Sequence, residues 1–293
     1  MVPDLSGFFQ AVAFGLVEAS VISVGAVGLT LSYGVTRFIN FAYGEFLAYG
    51  AFLAFFLSGA GLGLVPLPVA AVVAVLFVGG LGVVVSRVFF RPISDRGALP
   101  LLITSIGVAF ILRYLLIASV GADARQLPVP LMRPVEVAGV GLTPLELGVV
   151  GVAVVMMLAI HLLLQWTMLG KTMRATSGNP SLAEVAGIDT AAVIRKTWFI
   201  SAAAGGLAGI LYGVLFAPFR PTFGFGYLIV IFAATLLGGI GRPYGAMLGA
   251  VLIGLMVSLG STYLSASYDQ AYAFLALVAV LLVRPEGIRG GEF

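Results

Sequence analysis

The chemistry open to this chain rests on few side chains. In residues 28–46, GLTLSYGVTRFINFAYGEF, an apolar run breaks at Tyr33–Gly34. Arg37, Asn40 and Phe41 follow, and Tyr43 and Glu45 open the next apolar run. Polar groups at a break between half-helices are where membrane transporters present side chains and backbone dipoles to a substrate. Asn40, Tyr43 and Glu45 are therefore read as functional groups at such a break. Arg37 is open to two readings, a member of this group or a basic anchor in a turn. Glu18 stands midway along the first apolar stretch. An acid there is costly and usually faces a partner or a wet cavity. Proton relay is its alternative role. His161 and Arg113 lie near helix ends, where snorkelling to the interface accounts for both.

What is missing also narrows the chemistry. The chain has one His and no Cys. Disulfides, iron–sulfur ligation, thiol catalysis and an intramembrane zinc protease are excluded. There is no serine–histidine–acid set and no pair of acids in one segment. Gly170-Lys171-Thr172 looks like the end of a phosphate-binding loop, but the earlier glycine that loop needs is Gln165, and an apolar helix precedes it. The sequence thus offers no catalytic residues, no metal site and no nucleotide site of its own.

A different kind of signal lies in residues 170–189, GKTMRATSGNPSLAEVAGID. Asn179 suits a helix N-cap, Pro180 the first helical position, and Gly187 a left-handed cap at the end. The spacing predicts a helix of about two turns over 180–186. It carries one acid, Glu184, among Leu182, Ala183, Val185 and Ala186. A short capped helix between membrane segments is a docking device for a partner outside the bilayer.

These features need elements to hold them. Of 293 residues, 61% are hydrophobic and 9% charged, against about 25% charged in an average soluble domain. A soluble fold cannot hide that much apolar surface, so the class is all-α: one polytopic transmembrane bundle over 1–293. Apolar stretches fall at about 7–32, 41–58, 66–90, 98–119, 144–165, 196–217, 223–240, 243–263 and 270–284. The second, seventh and last are short for a crossing of about 20 residues. Eight or nine spans are expected, some broken or re-entrant. The first Lys or Arg is Arg37, so a cleavable signal peptide of the usual form is not expected.

Basic residues set the orientation. With 166–195 in the cytoplasm, that side collects Arg37, Arg87, Arg91, Arg96, Lys171, Arg174, Arg195, Lys196, Arg242, Arg284 and Arg289, eleven in all. Four remain outside: Arg113, Arg125, Arg133 and Arg220. The 120–143 loop is then extracytoplasmic and the C-terminus cytoplasmic. Gly205, Gly209 and Gly213 stand at four-residue spacing, and Gly241, Gly245 and Gly249 repeat it. Both series read as helix-packing ridges of small residues.

The segments GLTLSYGVTRFINFAYGEF, GKTMRATSGNPSLAEVAGID, SAAAGGLAGILYG, LLGGIGRPYGAMLGAVLIG and the tail VRPEGI, in that order, resemble the permease subunits of branched-chain amino-acid ABC importers. The high-affinity leucine/isoleucine/valine type is the nearest in pattern, and the likeness covers nearly the whole chain. Tyr43 stands where that family usually has His, and Gly178 where an acid is common. The resemblance implies half a pore in a prokaryotic cytoplasmic (inner) membrane. A second homologous permease supplies the other half. Two cytoplasmic ATPases, which use ATP and Mg, drive alternating access, and an extracytoplasmic binding protein delivers substrate. On this likeness residues 179–187 couple to the ATPase, Asn40, Phe41, Tyr43 and Glu45, with Glu18, lie on the translocation path or gate, and Arg125, Arg133 and Arg220 meet the binding protein. Urea and short-chain amide importers have very similar permeases and remain an alternative. From another class, an ion-coupled carrier using Glu18 and a passive channel remain as well.

Overall fold

The computed structural model describes residues 5–59, 61–130, 132–137 and 139–283. Arg284, Arg289 and the tail from residue 284 onward lie outside the described residues. Most of the described backbone is helical, which is what hydrocarbon requires, because a helix satisfies its own N–H and C=O groups. The helices are α1 Leu5–Thr36, α2 Tyr43–Leu57, α3 Leu67–Val85, α4 Ala98–Val120, α5 Pro144–Trp166 and α6 Met168–Gly178, followed by α7 Pro180–Val185, α8 Thr190–Leu215, α9 Phe223–Gly238, α10 Pro243–Gly260 and α11 Asp269–Val283. α3 runs on through a π turn, Ser86–Phe90, and a 3-10 turn, Arg91–Arg96.

Each of the nine apolar stretches carries a helix. α2, α9 and α11 are the short ones anticipated. Among the described residues, six helices are long and apolar enough to cross a membrane. A total of eight or nine spans would need two or three of the short helices as well. The all-α expectation has one small exception in the 120–143 segment. There β1, Val135–Val137, pairs antiparallel with β2, Val140–Leu142. Gln10 fastens that hairpin, donating from Nε2 to the Gly141 carbonyl and accepting from its N–H at Oε1, both at 2.8 Å.

Three expectations are corrected. α1 does not break at Tyr33–Gly34 but continues to Thr36. One glycine costs a helix only about 1 kcal/mol, which burial of this part of α1 offsets. The chain turns instead at Arg37, whose φ is +52°. The 166–195 segment is not a loop around one short helix. It also holds α6, capped by the Thr167 side chain on the Gly170 N–H and burying Gly170, Met173 and Thr176. Gly241 is not part of a helix ridge. It sits in the α9–α10 turn at φ +85°, ahead of Pro243, which starts α10.

The chain forms two compact units. The larger comprises Gly28–Pro128 and Leu158–Leu228. Its centre is α2, where Phe46, Leu47, Ala48, Ala51 and Phe52 are fully buried. α8 approaches α2 so closely that a Cβ on Gly209 would run into the Leu47 backbone, and one on Gly50 into that of Gly206. Gly213 faces the rings of Phe219 and the side chain of Leu127. In the smaller unit, residues 5–27, Val129–Met157 and 229–283, the first half of α1 packs on α10. Gly15 faces Gly254 there, and the Ser258 hydroxyl donates to the Ala11 carbonyl at 2.7 Å. Gly245 and Gly249 of α10 lie against the backbones of Gly238 and Ala234 in α9. α3, α4 and α5 turn apolar residues such as Leu76, Ile103 and Val155 outward, a surface suited to lipid.

Gly209→Val should overpack the α2–α8 crossing and lower stability by about 3 kcal/mol, the upper end for inserted core atoms. Thermal unfolding in mild detergent reads this. An unchanged midpoint would mean the two backbones do not meet there.

Candidate functional site

The interruption between α1 and α2 is held by specific bonds. Arg37 N–H closes on the Tyr33 carbonyl at 2.7 Å. Asn40 folds its side chain back, so that Oδ1 accepts the Ala42 N–H at 3.0 Å, while its carbonyl accepts the Tyr43 N–H at 3.3 Å. The Phe41 N–H finds the Ser105 hydroxyl of α4 at 3.1 Å. Asn40 is buried, and its Nδ2 has no hydrogen-bond partner among the described residues. Tyr43 is fully buried, with its ring end against Gly28 of α1 and Gly205 of α8. A side chain at either glycine would occupy the space of that ring, so Gly205 serves the tyrosine as well as helix packing.

Glu45, two residues on, is also fully buried. Its Oε1 accepts from Arg113 Nη2 at 2.5 Å and Nε at 3.1 Å. The guanidinium lies over the rings of Phe225 at 4.9 Å and Phe110 at 5.5 Å. Tyr49 adds a bond from its hydroxyl to the Leu112 carbonyl at 3.0 Å. The snorkelling reading of Arg113 is therefore corrected: its side chain is only 14% exposed and turns inward to a carboxylate. A pair removed from water attracts strongly and resists separation. Glu45 Oε2 has no partner among the described residues. The break thus carries a buried free donor, Asn40 Nδ2, and a buried free acceptor, Glu45 Oε2. The legible signal for Arg113 was opposite charge: one arginine and one acid in separate apolar stretches of a chain with few charges.

The 179–188 segment has the predicted capped-helix geometry. The Asn179 side chain accepts the Leu182 N–H at 3.0 Å, and Pro180 follows as the first helical residue. The other end is a Schellman closure: Gly187 N–H to Glu184 O at 2.9 Å and Ile188 N–H to Ala183 O at 3.0 Å, with Gly187 at φ +83°. Ala183 faces inward, whereas Leu182 and Val185 are 65% and 87% exposed. Ala186 is exposed too. Glu184 is held by Thr190, whose hydroxyl donates to Oε1 at 2.5 Å. One Glu184 oxygen thus bonds α7 to α8, a contact the sequence reading missed.

The base of this segment is tied to the interrupted helix. Helices end with unsatisfied carbonyls. The Ser177 hydroxyl of α6 donates to the Gly34 carbonyl of α1 at 2.6 Å. In return the Arg37 guanidinium donates to the Ser177 carbonyl at 2.6 Å. Two helix C-termini cap each other, with a cation between their negative ends. Arg37, open to two readings in the sequence, thus fastens the end of α1 to the end of α6.

Glu18 belongs to the smaller unit, and Asn40, Phe41, Tyr43 and Glu45 to the larger. Glu18 is half-buried on α1, and Asp269 begins α11. Asp269 accepts the hydroxyl of Ser261. His161 is exposed on α5.

A chain of apolar helices with polar groups at a helix break and a capped helix projecting between long helices has the build of a membrane transport subunit. The family model described as branched-chain amino acid transport system / permease component matches residues 11–283. The chain is 32% identical over 295 residues to the high-affinity branched-chain amino acid transport system permease protein LivH of Escherichia coli (strain K12), covering 97% of this chain and 96% of that one. It is 31% identical over 301 residues to the corresponding permease protein BraD of Pseudomonas aeruginosa, covering 98% and 97%. In fold it is similar to PsaBC from Streptococcus pneumoniae in complex with Fab, with a TM-score of 0.52 at 13% identity over 95% of this chain and 92% of that one. The chain belongs to the branched-chain amino acid transport permease family and is an integral membrane protein.

Removing one partner of the Glu45–Arg113 pair strands the other. Glu45→Ala and Arg113→Ala should each cost about 3–5 kcal/mol, and the double variant clearly less than their sum. A denaturation cycle on the purified permease measures the coupling, and strict additivity would remove the pair from the account.

Proposed function

We propose that this chain is one transmembrane half of an ATP-driven importer that carries branched-chain amino acids across the inner membrane by alternating access. A second homologous permease completes the pore. Two cytoplasmic ATPases bind the ATP and Mg, and an extracytoplasmic binding protein delivers the substrate. In this reading the 166–195 segment and the C-terminus face the cytoplasm. The relatives named above favour branched-chain amino acids over urea or short-chain amides.

The observation that carries the ATPase-driven part is the form of α7. It is closed at both ends, held inward through Ala183 and Glu184, and exposes Leu182 and Val185. An apolar knob on a stiff, capped turn suits a groove on a soluble partner. The bonds from Ser177 to Gly34 and from Arg37 to Ser177 give a push on α7 a route to the α1–α2 interruption. Asn40, Phe41, Tyr43 and Glu45 lie on the path or gate in this proposal. Their free buried donor and acceptor suit a zwitterion, which carries both a carboxylate and an ammonium group.

The test is reconstitution of the full importer in liposomes with radiolabelled leucine, isoleucine, valine and urea. ATP-dependent uptake of the three amino acids but not urea is expected. Leu182→Asp with Val185→Asp should cut uptake by more than about tenfold, the scale of an interface hot spot, with the fold intact. Ordinary uptake by that variant would falsify docking through α7. Ser177→Ala should leave the ATPases bound and lower substrate moved per ATP, because the Gly34 carbonyl loses its donor. Co-purification together with the uptake-to-hydrolysis ratio checks this; an unchanged ratio removes the fastener from the route.

A further inference from the structure

Within the larger unit, a cavity of about 440 Å³ opens where the end of α1, the turns after α3, and α6, α7 and α8 converge. That volume falls in the range of small-ligand pockets, roughly 300–1,000 Å³. Its lining carries three guanidiniums, Arg87, Arg91 and Arg195, against two carboxylates, Asp95 and Glu184. Both acids are engaged by hydroxyls, Asp95 by Ser94 at 3.3 Å and Glu184 by Thr190. Among the described residues the ion pairs are Arg113–Glu45 and Arg125–Asp123, so no carboxylate pairs with any of the three arginines.

Two further observations point to a ligand. Thr176 lines the cavity, is 1% exposed, and its hydroxyl oxygen has no hydrogen-bond partner among the described residues. A buried hydroxyl normally finds a partner, and leaving one unmade is costly. Part of the lining is aromatic. Phe90 stacks on Trp198 at 5.2 Å, and Phe38 lies 5.0 Å from Phe90. Next to Arg87, Val84 and Val88 are exposed, so an apolar outer face ends where the arginines begin. Guanidinium forks match phosphate oxygens in geometry and charge.

We propose that this cavity binds a phosphate-bearing anion, with Arg91 and Arg195 on its oxygens and the Thr176 hydroxyl as a further donor. The phosphodiester of an anionic lipid and free phosphate share this chemistry. Pro180 and Glu184 of α7 line the same cavity, so an occupant braces the docking helix from within. The proposal goes beyond the transport reading and is tested by binding, without uptake.

The chain has two tryptophans, and Trp166 is exposed. Trp166→Phe in the full-length protein leaves Trp198, in the cavity wall, as the sole emitter. The variant is placed in phosphatidylcholine nanodiscs and titrated with inorganic phosphate, with chloride at equal ionic strength as control. A second series replaces part of the phosphatidylcholine with phosphatidylglycerol. A saturable change of Trp198 emission is expected. Its appearance with phosphatidylglycerol alone assigns the lipid, and with inorganic phosphate assigns the free anion. Arg91→Gln with Arg195→Gln should weaken the apparent affinity at least about tenfold, the equivalent of losing one charged hydrogen bond. Thr176→Val, a milder change, should weaken it less and keeps the test open should the double variant not fold. No response to either probe overturns the proposal. So does a response equal to that of chloride, or one that the folded variants leave unchanged.

Discussion

A chain that stops being helical where its neighbours exclude water must supply hydrogen bonds that water would otherwise give. Four backbone N–H groups between Arg37 and Tyr43 meet that demand with named partners. Tyr33, Asn40 and Ser105 provide the acceptors for the N–H groups of Arg37, Ala42, Tyr43 and Phe41. The interruption therefore sits at one defined place, and α2 starts in a fixed direction. That start puts Tyr43 into the space left by Gly28 and Gly205 and brings Glu45 to Arg113. Each of those contacts depends on where the helix resumes.

The same demand explains the cytoplasmic-side arrangement proposed for α6 and α7. Four carbonyls at each helix end lack internal partners. α1 and α6 meet the need in part by exchange, Ser177 serving Gly34 and Arg37 serving Ser177. A bond pair of this kind is directional and short. It transmits displacement better than an apolar contact, which can slide. α7 stands directly after this pair, so the geometry joins the exposed residues Leu182 and Val185 to the interruption in few covalent and hydrogen-bonded steps.

Small residues decide how tightly the larger unit closes. α2 is short and buried almost all round, which leaves its neighbours no room for side chains at the crossings. Gly50, Gly206 and Gly209 let backbones meet there. Without a hydrophobic drive between helices in lipid, such close packing is a main source of association.

Composition and hydropathy alone determined the class: too few charges and too much apolar surface for anything but a membrane bundle, with nine apolar stretches that each became a helix. The caps of α7 were legible because Asn179, Pro180 and Gly187 act on their own backbone within a few residues. What was not legible depends on distance along the chain. Arg113 and Glu45 are 68 residues apart, and Arg37 and Ser177 are 140. A residue such as Arg113 reads as an interface anchor until packing shows which neighbour it meets. Gly241 fits a four-residue spacing, yet it lies in a turn because Pro243 begins the helix. α6 was passed over because its polar surface hides a narrow buried stripe of Gly170, Met173 and Thr176. Local backbone chemistry is written in neighbouring residues. The pairing of charges, the meeting of helix ends and the walls of the arginine-lined cavity arise only when distant segments pack.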